Sequence, residues 1–234
     1  MNIVDYVIVA LFAFSILLGF YQGFISSGSN LIAFFVSLLG GKLFYGSLAS
    51  SLVNNTGIVD TMLYYTDTAQ SIGVTELINA PISALSADQV QSIVQQSNMP
   101  YPINQILTEN ITNQSLQGLT TLGEYFNYSV IYFVINVLSF VLLFLAIYIG
   151  ISIILSLVNY TVRFPLLKYG DPVAGGVFGA VRGIFWCYII FLLVPVVFAV
   201  LPADLLTPYL DESTFAHYFY TDSFILKWFH GFLG

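Results

Sequence analysis

The chain has 234 residues, 58% of them apolar and 7% charged, with a formal net charge of −7. An ordinary soluble domain carries about a quarter charged residues, so this composition excludes one and leaves a polytopic membrane protein. Its five basic residues form no cluster, which excludes a nucleic-acid partner or a polybasic lipid-binding surface.

Ile3 to Phe20 is apolar apart from Asp5, Tyr6 and Ser15 and reads as a first membrane span. No basic region precedes it, so a retained helix is expected rather than a cleaved signal peptide. Only Tyr21-Gln22-Gly23 separates it from the next apolar stretch, Phe24 to Phe44, which predicts a tight two-helix hairpin over residues 1–45. The second span opens with Ser26-Ser-Gly-Ser-Asn30 and is strongly apolar only from Leu31 to Leu39. Gly19 and Gly23 have the small-xxx-small spacing that lets helix backbones approach closely, and Gly40 and Gly41 add room.

Residues 46–127 form a polar, partly helical insertion rich in Ser, Thr, Asn and Gln. It holds Asp60, Asp67, Glu76, Asp88, Glu109 and Glu124 but no Lys, Arg, His or Cys, and no metal-ligand spacing. Ser86-Ala-Asp-Gln89 has the capping-box pattern and predicts a helix that ends at Asn98-Met-Pro100. A further helical pattern runs from about Asn113 into the third span. N-x-S/T triplets occur at Asn54, Asn110, Asn113 and Asn127, and chance in an Asn-rich loop accounts for them more cheaply than glycosylation.

Ser129 to Val158 reads as the third span, interrupted by Asn136, Ser139, Gly150, Ser152 and Ser156. A connector, Asn159 to Tyr169, carries Arg163, Pro165 and Lys168. The fourth span starts at Asp171 and ends near Pro202, which makes residues 128–202 a second hairpin. In it Gly175, Gly179 and Gly183 recur every fourth residue as a side-chain-free stripe. At about 100° per residue, Asp171 and Arg182 point along one edge of that stripe. Pro195 is expected to kink the span. Cys187 is the single cysteine, which excludes an intramolecular disulfide and reads as a structural thiol.

The tail, residues 203–234, ends in Phe224, Ile225, Trp228, Phe229, Phe232 and Leu233 at helical spacing, with Lys227 and His230 opposite. This predicts a short amphipathic helix, either at the bilayer surface with Trp228 at headgroup level or packed on the bundle. The expected fold class is therefore all-α: four transmembrane helices, a large polar loop between the second and third, and a C-terminal amphipathic helix. Arg163 and Lys168 place the third connector in the cytoplasm by the positive-inside rule, so the 46–127 loop and both termini are expected outside it. Lys42 and Lys227 count against that orientation.

Four stretches carry a resemblance to a known family. They are Asn2-Ile-Val-Asp5, Gly19-Phe-Tyr-Gln-Gly-Phe24, Asp171-Pro-Val-Ala-Gly-Gly-Val-Phe-Gly-Ala-Val-Arg-Gly183 and Phe224-Ile-Leu-Lys-Trp-Phe229. The chain resembles the colicin V production protein (CvpA) family of bacterial inner-membrane proteins over the four spans and the tail, with 46–127 left as an uncovered insertion. Where members often carry Arg or Lys in the first hairpin, this chain has Tyr21 and Gln22. The resemblance implies a multi-pass inner-membrane protein linked to production or export of a peptide toxin, or to envelope maintenance, and it implies no reaction.

Arg182 is the sharpest candidate, because an ionisable side chain near mid-bilayer costs about 3 kcal/mol on insertion scales and needs acceptors. Asn30, Ser26 and Ser15 stand at a suitable depth. Asp5 lies nearer the outer surface, and Asn136 is closer to the level of Asp5. Two readings of Arg182 stay open, a hydrogen-bonded packing lock or the lining of a solute path. Asp171 reads as a cap or as its partner. No His-Glu-x-x-His, Gly-x-Ser-x-Gly or phosphate-loop pattern is present, and His217 and His230 read as interfacial polar tips. A non-enzyme with no catalytic residue, metal or cofactor is expected. Its partners would be the lipid bilayer and secretion or envelope proteins docking on the acidic loop. The alternative is a small channel or transporter subunit, a homo-oligomer with Arg182 in the pathway.

Overall fold

The structure is a computed structural model that describes residues 2–66, 68–161, 171–200, 208–210 and 212–220. The described residues are helical apart from turns and one isolated bridge, Pro81 with Thr121. Among them, three helices are long and apolar enough to cross a membrane. These are α1 (Ile3–Val53), α6 (Leu122–Thr161) and α7 (Asp171–Phe191), the last followed by α8 (Val194–Val200). Between α1 and α6 lie α2 (Thr56–Tyr65), α3 (Thr75–Ile78), α4 (Ala87–Gln96) and α5 (Ile103–Asn113), with 3-10 turns at Thr68–Ile72 and Ile82–Ala84. Phe224, Trp228, Phe229 and Phe232 of the tail, where an amphipathic helix is expected, and most of the 159–169 connector lie outside the described residues.

Two compact units divide the chain. The first comprises residues 1–47, 138–191 and 207–222. Here α1 bends at Gly23, whose φ of 77° and ψ of 178° fall in a region essentially restricted to glycine. Two hydrogen bonds brace the bend across eight residues. Ser27 Oγ donates to the Gly19 carbonyl at 3.2 Å, and Asn30 Nδ2 donates to Gln22 Oε1 at 3.0 Å. A straight helix would separate such residues by about 12 Å.

Helix α7 packs on both halves of α1. A Cβ placed on Gly175 would lie 2.9 Å from Gly23 Cα and meet the Gly19 carbonyl, one on Gly179 would lie 2.5 Å from the Ser15 carbonyl oxygen, and one on Gly183 would lie 3.1 Å from Phe12. Advancing along α7 therefore retreats along the first half of α1. On the second half the order is opposite. Phe178 meets Phe24 at a centroid separation of 5.3 Å, and Trp186 meets Phe34 at 5.6 Å. Phe34 is fully buried and also touches Phe144, Tyr148 and Phe185. Ile32, Leu43, Ile154 and Val177 stand out of this core, each at least 60% exposed, an apolar surface suited to lipid.

The second unit comprises residues 48–137, 192–206 and 223–234. Its polar segment has a core of its own. Ala49 and Val59 pack with Ile131 and Ile135, and Leu52, Met62, Tyr128 and Tyr132 surround them. Helix α4 begins with the capping box read from sequence, Gln89 N donating to Ser86 Oγ and Ser86 N to Gln89 Oε1. A second box, unnoticed in the sequence, starts α6: Glu124 N donates to Thr121 Oγ1, and Thr121 N donates to Glu124 Oε2 at 3.0 Å. The helix expected from Asn113 into the third span is broken. Helix α5 stops at Asn113, where Gln114 turns left-handed (φ 49°) and Ser115 N reaches back to the Asn110 carbonyl. Two N-x-S/T asparagines are structural: Asn110 Nδ2 donates to Ser129 Oγ, and Asn127 Oδ1 accepts from Thr68 Oγ1 and Ala69 N. The interruption expected at Pro195 falls at residues 192–193, and the proline is second in α8, where its missing N–H costs nothing.

The glycine contacts generate a prediction. Gly19→Ala or Gly175→Ala drives a methyl into the facing backbone, and overpacking of this kind costs at least ~1–3 kcal/mol. Gly150, with nothing within 4 Å of its would-be Cβ, is the control. Thermal unfolding in detergent should show a clear loss for either of the first two variants and none for Gly150→Ala.

Candidate functional site

Within the first unit, a cavity of about 590 Å³ opens beside Arg182. Each long apolar helix contributes polar groups to it: Ser15, Gln22, Ser26 and Asn30 from α1, Tyr148, Ser152 and Ser156 from α6, and Arg182 from α7. Leu11, Phe14, Leu18, Trp186 and Ile190 complete an apolar wall. In sequence these polar residues are isolated interruptions of separate apolar runs. The fold gathers them because the glycine stripe of α7 brings its backbone against α1, so the edge of the stripe that carries Arg182 faces the bend.

Arg182 is only 5% exposed. Among the described residues its guanidinium makes one hydrogen bond, Nη1 to Gln22 Oε1 at 3.4 Å. The sequence offered Asn30, Ser26 and Ser15 as direct acceptors, and none of them takes that bond. Asn30 acts one step removed, donating to the same Gln22 oxygen, while Ser15 Oγ donates to the Gly179 carbonyl at 2.7 Å. Ser26 lines the cavity. Gln22 was missed because the turn between spans reads as solvent-facing. The available signal was Gln22, Ser26 and Asn30 recurring every fourth residue. Among the described residues no Asp or Glu lines the cavity, and Ser152 Oγ is buried with no hydrogen-bond partner. Tyr148 and Trp186 close one side, their rings 5.5 Å apart at 80°.

Asp5 belongs elsewhere in this unit. It is fully buried. Its Oδ1 accepts from Ser213 Oγ at 2.6 Å and from Phe215 N at 3.1 Å, and its Oδ2 accepts from Asn2 N at 2.9 Å. Ser213 Oγ in turn accepts from Ala216 N, and Asn2 Nδ2 donates to the Tyr209 carbonyl. The carboxylate thus ties Ser213, Phe215 and the start of the short helix Ala216–Tyr220 to the start of α1. Asp171 is the first residue of α7. Cys187 is a buried free thiol.

This clamp has a graded test. Asp5→Asn retains an Oδ1 for Ser213 and Phe215, whereas Asp5→Ala removes every acceptor. Limited proteolysis around residues 208–220 should accelerate at least several-fold in the alanine variant and much less in the asparagine variant. Equal rates in both would show that the charge, rather than the hydrogen-bond count, holds the segment.

A family model described as colicin V production protein matches residues 4–98 and 114–222. Comparisons with curated proteins and with solved structures give no match. The family match corrects one expectation: it runs through most of the 46–127 segment, leaving 99–113 as the internal unmatched stretch. It also stops at residue 222, before the Phe224–Phe229 stretch that the sequence resemblance included.

Proposed function

Because the chain belongs to the colicin V production protein family and carries helices able to span a membrane, we propose that it is a non-catalytic accessory protein of the bacterial inner membrane. It supports production or export of a peptide toxin and, more broadly, envelope maintenance. The observation that carries this reading is a family match extending through all three long apolar helices and most of the polar segment between two of them.

The proposal includes four membrane crossings. As a straight rod the 51 residues of α1 would measure about 75 Å, more than twice the ~30 Å hydrocarbon core. The opposite contact order of its two halves along α7 supports a reversal at Gly23, with each half crossing once. Helices α6 and α7 supply the third and fourth crossings. Residues 46–127 and both termini then lie outside the cytoplasm, and the acidic polar segment is the surface that secretion or envelope proteins dock on.

Two measurements check this. In a toxin-producing strain whose own family member is deleted, expression of this chain should restore secreted toxin at least ten-fold; unchanged secretion overturns the accessory role. In a Cys187→Ala background, a cysteine at Gln91 should react with a membrane-impermeant maleimide in intact cells and one at Lys168 should not. The reverse pattern inverts the topology without touching the secretion result.

A further inference from the structure

We propose that the Arg182 cavity is a binding site for a phosphate-type oxyanion. This inference goes beyond the accessory role and rests on the cavity alone, whichever step of toxin production the protein supports. A guanidinium has five N–H donors in a rigid fork suited to phosphate oxygens. Among the described residues one of them is spent, on a 3.4 Å contact with a neutral amide. The side chain is 5% exposed, and no carboxylate of the described residues lines the space it occupies. A buried cation without a counter-charge is strongly disfavoured, so the described lining leaves the cavity electrostatically incomplete.

The remaining polar lining supplies the same kind of group. The acceptor that Arg182 reaches, Gln22 Oε1, already takes two hydrogen bonds, from Asn30 and from Arg182. The hydroxyl of Ser152 on α6 is buried and has no partner among the described residues. The donors left over therefore come from different helices around one space and suit a ligand with acceptor oxygens pointing in several directions. A tetrahedral phosphate group has that geometry. The cavity, at about 590 Å³ with Phe14, Leu18 and Ile190 in its wall, has room for an apolar substituent on the phosphate. The phosphate can come from a lipid headgroup or from the free ion, and the experiment separates the two.

Trp186 lines the cavity, and the chain has two tryptophans, so Trp228→Phe leaves Trp186 as the single emitter. The full-length variant, purified in a non-ionic detergent, is titrated with sodium phosphate, with dioctanoyl phosphatidic acid and with dioctanoylglycerol. The expected result is a saturable change in Trp186 emission with phosphatidic acid and none with dioctanoylglycerol. Arg182→Gln and, independently, Ser152→Leu should each raise the midpoint at least ten-fold. Saturation and competition by inorganic phosphate identify the free ion as the ligand, whereas a response to phosphatidic acid alone identifies the headgroup. Indistinguishable titrations with the acid and the glycerol overturn the proposal, as does no saturable response to either phosphate probe. If Arg182→Gln fails to fold, the Ser152→Leu variant and the acid-against-glycerol comparison decide. A Ser152→Leu variant that titrates like its parent then overturns the site.

Discussion

The bare contact between the backbones of α1 and α7 is the constraint on which the first unit depends. Gly19 faces Gly175 and Gly179, and Gly175 also faces Gly23, with no side chain between them. In a bilayer, apolar side chains gain little by leaving lipid for one another, so helix association rests on close packing and hydrogen bonding. Glycines supply the packing. The bend at Gly23 lets one helix present both of its halves to α7, with Ser15 Oγ donating across the contact to the Gly179 carbonyl. Three polar side chains are arranged around that seam: Arg182 beside the stripe, Gln22 at the bend, and Asn30 folded back upon Gln22.

Much of this was legible in the sequence, for identifiable reasons. Glycines every fourth residue in an apolar run have few other uses, so Gly175, Gly179 and Gly183 announced a helix-packing face. Ser86 with Gln89 announced a helix start because the capping box is local chemistry. The α5–α6 break was missed although Gly118, at φ 86°, lies inside it: a lone glycine is tolerated within a helical pattern, Asn113 to Thr121 has no proline, and the left-handed Gln114 leaves no signature of its own. The structural roles of Asn110 and Asn127 were invisible for a different reason. Their partners, Ser129 and Thr68, are remote in sequence.

The cavity was legible only in pieces. Arg182 was conspicuous because a charge inside an apolar run is costly, but its partner was sought at matching depth, among Asn30, Ser26 and Ser15. A long arginine stem reaches along its helix rather than straight across. It reaches Gln22, at the bend. Ser152 and Ser156 looked like tolerable interruptions of α6, and only the fold puts them with Arg182. Asp5, equally conspicuous as a charge near the start of an apolar helix, is fully committed to residues 208–216 and takes no part in the cavity.

The two hydrogen bonds that brace Gly23 carry a mechanical consequence. A bend tied across eight residues on each of two side chains, and seated on a glycine stripe, is a fixed corner rather than a hinge. The walls of the cavity contributed by α1 and α7 therefore move as one piece. The wall contributed by α6 meets them differently: its Tyr148 and Phe144 pack ring against ring on Phe34 and Trp186, and its Ser152 hydroxyl has no hydrogen-bond partner among the described residues. Ring packing tolerates small sliding movements that a hydrogen-bonded corner resists. Of the three walls around Arg182, α1 and α7 are joined by bare backbone contact and a hydrogen bond, and α6 meets them through aromatic rings.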